Sequence, residues 1–241
     1  SNPTMTTGYA NPYVVADAEP SVRAQFIKQT YFHLAGAIAA FIALESILLK
    51  LPGIESMIVK MTGGMGWLLV LGAFMAVSFI ADKWARSDSS RGMQYVGLGI
   101  FTIAEAVIFL PIIYLAVNYV PEGSQLVAKA GLITAVLVAG ITMTAFVTNK
   151  DFSFLGGILT IGGFVALGII VASIIFGFSL GLIFSGAMAI FASVSILHST
   201  SNIIHHYPPG KHVAAALHLF AGIALLFWYI IQILIALSGR D

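Results

Sequence analysis

The side chains able to do chemistry in this sequence are few, and most of them sit in hydrocarbon. The stretch AIFASVSILHSTSNIIHHY at 189–207 begins as pure apolar sequence and takes on His198. It then runs through Ser199, Thr200, Ser201 and Asn202, and ends at His205, His206 and Tyr207 before a Pro-Pro turn. A charge at mid-bilayer costs roughly 2.5–3.5 kcal/mol on insertion scales, so polar groups there need a polar partner or a water-filled cavity. Glu105, in FTIAEAVIFLPII, stands six residues before Pro111. Proline removes a backbone donor and loosens the preceding turn, so the carboxyl and the freed carbonyls can share one polar pocket. The chemistry on offer is an ion or proton site, against a protonated glutamate that merely hydrogen-bonds a neighbouring helix.

His198 and His218 form a second candidate. His198 precedes the end of one apolar stretch by six residues and His218 follows the start of the next by five, so they are expected at similar depth. Two imidazoles there are a proton switch near neutral pH, or else two neutral rings satisfied by Ser199, Asn202 or backbone groups. His205, His206 and His212 read as interfacial loop residues, with no metal-binding spacing. Glu45 and Lys50, near the end of the first stretch, can snorkel to the interface. Asp82, Lys83 and Arg86 read as a solvated cap, with Lys83 or Arg86 able to reach toward the sixth stretch.

The elements that position these groups are membrane spans. Of 241 residues 59% are hydrophobic and 9% charged, with a mean hydropathy of +0.98, where soluble domains carry about 25% charge. Seven stretches reach the roughly 20 residues needed to cross a bilayer: 32–49, 64–81, 93–118, 126–148, 154–176, 180–204 and 213–237. The weakest break is Gly177-Phe178-Ser179, read as a tight turn, with one long broken helix as the alternative. Glycine is frequent (24 residues) and much of it lies within spans, as close packing of membrane helices requires. With the N-terminus cytoplasmic, Arg23, Lys28, Lys83, Arg86, Arg91, Lys150 and Lys211 fall inside, and Lys50, Lys60, Lys129 and Arg240 outside, which agrees with the positive-inside rule. An odd number of spans then puts the C-terminus outside. Residues 1–30 read as a polar cytoplasmic tail and 31–241 as one transmembrane domain. The tail lacks the features of a signal peptide, so the first span is expected to direct insertion. A tail of this composition is expected to be ordered only by packing on something, a partner subunit included.

The sequence has no cysteine, and hence neither disulfide nor thiol nucleophile. A net charge of +1 without any basic stripe offers nothing to nucleic acid. No nucleophile elbow, phosphate-binding loop, dinucleotide fingerprint or metal cage occurs. Neither enzyme activity nor a cofactor is expected.

The segments FIKQTYFHLAGA at 26–37, GIFTIAEAVIFLPII at 99–113, TNKDFSFLGGIL at 148–159, ILHSTSNIIHHY at 196–207 and the closing SGRD resemble the Bax inhibitor (transmembrane Bax inhibitor motif) family, in its bacterial YccA-like branch. The resemblance implies an all-α seven-helix bundle with the seventh helix surrounded by the other six. It also implies a proton-sensitive calcium leak governed by two acids, one each on the sixth and seventh helices. This sequence departs from that pattern: Ser199 stands at the first acid and Gly222 at the second. His198 and His218 are then expected to occupy the vacated polar layer, where cationic imidazoles repel calcium. The YccA-like branch implies association with an FtsH-like membrane protease through a short N-terminal segment, here with Arg23 and Lys28 as candidate contacts. An accessory subunit of another membrane complex is equally compatible. The expected location is a bacterial inner membrane, ahead of a mitochondrial inner membrane.

Overall fold

A computed structural model describes residues 14–239; the expectations for residues 1–13 and for Arg240 lie outside them. Among the described residues the fold is all helical. A one-turn 3-10 segment (Val15–Asp17) precedes eight α-helices: α1 (Pro20–Leu48), α2 (Ile54–Thr62), α3 (Gly66–Ala85), α4 (Arg91–Tyr119), α5 (Gly123–Thr148), α6 (Leu155–Phe176), α7 (Leu182–His205) and α8 (His212–Ser238). All but α2 are long and apolar enough to cross a membrane.

The spans fall where the apolar runs fall, with two differences. Helix α1 begins twelve residues before the expected start. Pro20 occupies its first turn, where a missing N–H costs nothing, so the polar segment from Pro20 to Thr30 is helical. Helix α2 has no counterpart among the seven expected spans, being nine residues long. It is amphipathic: Ile54 and Ile58, one turn apart, are its buried residues. Gly53 starts it at a φ of 79°, which suits glycine. Gly177, at a φ of 76°, ends α6, and the turn reading holds over one continuous helix.

Helix α8 lies centrally and packs against α1, α3, α4, α5 and α7. Helix α6 rests chiefly on α7 and meets α8 through a small cluster of Ala166, Met188 and Tyr229. The core joins α4 and α8 through aromatic contacts: Phe109 stands edge-on to Trp228 at 5.2 Å and Phe101 to Phe220 at 5.8 Å. Such pairs add about 0.5–1.5 kcal/mol each beyond area burial.

Helices α3 and α4 approach to backbone contact at Gly97. A Cβ there would lie 2.5 Å from the Ala81 carbonyl oxygen and 2.6 Å from the Ala85 nitrogen. Both neighbours are backbone and cannot yield without moving α3. Gly97→Ala is therefore expected to cost about 1–3 kcal/mol, seen as a lower melting temperature in detergent. Gly99→Ala, with open space around its Cβ position, serves as the control and is expected to leave the melt unchanged.

Candidate functional site

Proline at 208 and 209 forces the chain to turn between α7 and α8, and this turn closes over a cavity of about 600 Å³. His198 and Ser199 of α7, His218 of α8, Arg86 from the end of α3, and Tyr207 and Lys211 from the turn are in its lining. The two histidines thus share one cavity, as their depths imply, without bonding each other.

His218 is the better connected. Its Nε2 faces Asp82 Oδ1 at 2.5 Å, and its Nδ1 makes a short hydrogen bond with the Tyr207 hydroxyl. Arg86 donates through Nε to the same Asp82 oxygen at 3.2 Å. A hydroxyl both donates and accepts, so Nδ1 is satisfied with or without a proton. Burial raises the Tyr207 phenol well above its usual range, so it stays a donor. The reading of Asp82 as a solvated cap is therefore corrected. This carboxylate is only 31% exposed and reaches α8, because α3 and α4 sit so close at Gly97 that the last turn of α3 is pressed into the bundle.

His198 is held by the loop before α6. Its Nδ1–H donates to the Phe152 carbonyl at 3.3 Å, which leaves Nε2 to accept from the Asn202 amide at 3.3 Å. Gly156 makes room for the ring, since a Cβ there would stand 3.2 Å from it. In the same loop the Phe152 N–H donates to Ser201 Oγ at 2.7 Å, and His206 pairs with Asp151 at 2.7 Å. The segments TNKDFSFLGG and ILHSTSNIIHHY, distant in sequence, are one contact surface.

The remaining candidates lie elsewhere. Glu105 is buried, 5% exposed, within α4 and is not part of this cavity's lining. Gly222 packs against α7, where an added Cβ would stand 3.0 Å from Ile196 Cγ1. Arg23, exposed, donates to the Ala16 carbonyl at 3.3 Å, and Lys28 is exposed on α1. Glu45 does not snorkel: it is 5% exposed and both carboxyl oxygens lack a hydrogen-bond partner. The loop reading of His205 and His212 is also corrected. His205 ends α7. His212 opens α8 and is 3% exposed, because α8 starts directly beneath α1 and α4. Arg91 Nη1 lies 3.0 Å from its Nε2, and the His33 ring stands 4.9 Å away. His33 Nε2 in turn meets Tyr95 Oη at 3.0 Å. Among the described residues no three His, Asp or Glu are grouped to hold a metal.

Sequence reading missed Asp82 and Tyr207 as site residues. A signal existed for Asp82: Arg86 follows one turn later, beside the small residues Ala81 and Ala85.

Residues 23–239 match the protein family described as inhibitor of apoptosis-promoting Bax1. The chain belongs to the Bax inhibitor family. It is 35% identical over 122 residues to an uncharacterized protein of Pseudomonas aeruginosa, a match covering 50% of this chain and 54% of that protein. The chain thus matches about half the length of that relative. An uncharacterized protein of Neisseria meningitidis is 27% identical over 73% of this chain and 75% of its own length. Bax inhibitor 1 of Schizosaccharomyces pombe is 26% identical over 97% of this chain and 84% of its own. The protein is a multi-pass membrane protein of this family, and its seven long apolar helices agree with that assignment.

Two outcomes follow from the site. Tyr207→Phe keeps the ring packing but strips one partner from His218 Nδ1, and is expected to cost about 1 kcal/mol in thermal unfolding. Asp151, in the α5–α6 loop, is lowered to about 2, first by the Ser153 N–H that its carboxylate accepts and further by His206. A depressed acid stabilises above its unfolded pKa, near 4, and loses that contribution as pH falls toward 2. Asp151→Asn is expected to lower the melting temperature above pH 4 and to flatten the pH 4-to-2 limb, so that the two profiles converge near pH 2.

Proposed function

We propose that this chain is a non-enzymatic membrane protein acting through protein partners, as a YccA-like modulator of an FtsH-like protease or as an accessory subunit of a membrane complex. What supports this reading is the sealed centre of the bundle. Ile196, Leu219, Leu226 and Ile231 are each at most 1% exposed there. Ile196 occupies the space beside Gly222 where the family's second acid is expected. A leak pore needs a polar path through this layer, whereas a partner-binding protein does not.

The proposed setting is a bacterial inner membrane with the N-terminus cytoplasmic. The Arg and Lys excess at the α7–α8 end and the bacterial relatives favour it. The test is co-reconstitution with an FtsH-type protease in liposomes, following degradation of a membrane substrate. The rate is expected to fall as the chain is added, and the double change Arg23→Glu, Lys28→Glu to remove the effect. An unchanged rate at saturating chain overturns the protease reading.

The second reading is a calcium leak with altered pH control. The Asp82 carboxylate beside the cavity favours it, since an acid from α3 then stands in for the absent pair. Protonated imidazoles at His198 and His218 would add positive charge on the cation's route. Calcium flux in liposomes is then expected to fall between pH 8 and pH 6, the range where histidine titrates. It should respond to Glu105→Gln and to the double change His198→Ala, His218→Ala. Flux that rises on acidification overturns this reading, as does flux equal to that of empty liposomes.

A further inference from the structure

A second cavity, of about 640 Å³, opens at the far end of the bundle from His218. Its walls come from α2, α3, α4, α6 and α8, and four aromatic rings stand among them: Trp67, Tyr114, Tyr119 and Trp228. Trp67 and Trp228 lie nearly parallel, 6.0 Å apart at 15°. Tyr114 and Tyr119 are 6.1 Å apart. Glu55 of α2 is the charged residue of the lining. The Tyr119 hydroxyl donates to its Oε1 at 3.0 Å, and the Tyr114 hydroxyl also stands close to this carboxylate.

Aromatic residues are common at both membrane interfaces, where they face lipid. That accounts for Tyr119, which is 63% exposed. It does not account for two tryptophans from different spans stacked on each other inside a cavity. Nor does it account for a carboxylate fixed beside them with no lysine or arginine in the lining. Glu55 also sits in the first turn of α2, where the helix dipole favours an acid, but that holds for any orientation of its side chain. The arrangement has the two parts that recognise an organic cation: π faces, whose quadrupole attracts positive charge, and an anion to neutralise it. A metal ion would demand several oxygen ligands, whereas one carboxylate and four rings suit a large, weakly hydrated cation.

We propose that this cavity binds a quaternary ammonium group of the choline class, with Glu55 as its counter-charge and the four rings as its walls. The group can come from a free amine or from a phospholipid headgroup, since the chemistry recognised is the same.

The protein carries its own reporter. Of its three tryptophans two line the cavity, and Trp84 lies at the other end of α3, about 25 Å away along the helix. The experiment uses the full chain with Trp84→Phe in nanodiscs of phosphatidylglycerol and follows tryptophan emission during choline titration at constant ionic strength. A saturable change is expected. The uncharged isostere 3,3-dimethyl-1-butanol is expected to bind about tenfold more weakly or not at all. Glu55→Gln keeps an acceptor for Tyr119 but loses the charge, and is expected to weaken choline by about tenfold while leaving the melting temperature unchanged, since Glu55 is exposed. The absence of a saturable response, an isostere equal to choline, or an unchanged affinity in Glu55→Gln each overturns the proposal. Nanodiscs of phosphatidylcholine separate the sources. A choline response lost there assigns the site to a lipid headgroup, and one retained there assigns it to a free amine.

Discussion

Helix α8 runs through the interior of the bundle, and its polar side chain one and a half turns in from His212 is His218. An imidazole at that depth must find partners or pay desolvation with nothing in return. It finds two, and each belongs to a different part of the chain. Asp82 comes from the last turn of α3, and Tyr207 from the turn that connects α7 to α8. Tyr207 also accepts the Val15 N–H through its carbonyl at 2.8 Å, and its ring packs 6.2 Å from Phe26 of α1. The position of one ring therefore sets the end of α3, the shape of the α7–α8 turn and the seat of the chain entering α1. Arg86 completes the arrangement by sharing the Asp82 carboxylate.

Gly222 of α8 faces Ile196 of α7, and the two helices close on each other there. Dispersion and the close approach of small residues hold them together. Polar chemistry is displaced toward the ends of the bundle. One end carries a histidine-lined cavity with an acid from α3 behind it, and the other an aromatic cavity with the acid of α2. The interior between them is hydrocarbon. Glu45 and Glu105 are exceptions, both buried, and the Glu45 carboxyl lacks a hydrogen-bond partner.

The segments that carry the family resemblance are those that touch. Phe152 and Asp151 from the loop before α6, and Gly156 in its first turn, meet Ser201 and His198 of α7 and His206 just after it. Each supplies what the other needs: a carbonyl for an imidazole, a hydroxyl for an N–H, and a missing Cβ where a ring must fit. His198 is occupied by this task. That favours a ring that holds the loop in place over one that moves protons.

Seven spans, their order and most of their ends were legible in the sequence alone, because the length of hydrocarbon needed to cross a bilayer is a local property of the chain. The turn at Gly177 and the all-α class follow for the same reason. Helix α2 escaped because nine residues are too few for a span and its amphipathic face needs α4 to be of use. The early start of α1 escaped because a polar sequence carries no membrane signal. The candidate site was half legible: His198, Ser199 and His218 meet in one cavity, as their depths in adjoining helices require. The partner of His218 was not legible, since Asp82 lies 136 residues away and looks like any charge that ends a helix. Which charge turns inward depends on how closely two backbones approach at Gly97, and that is settled only when the helices pack.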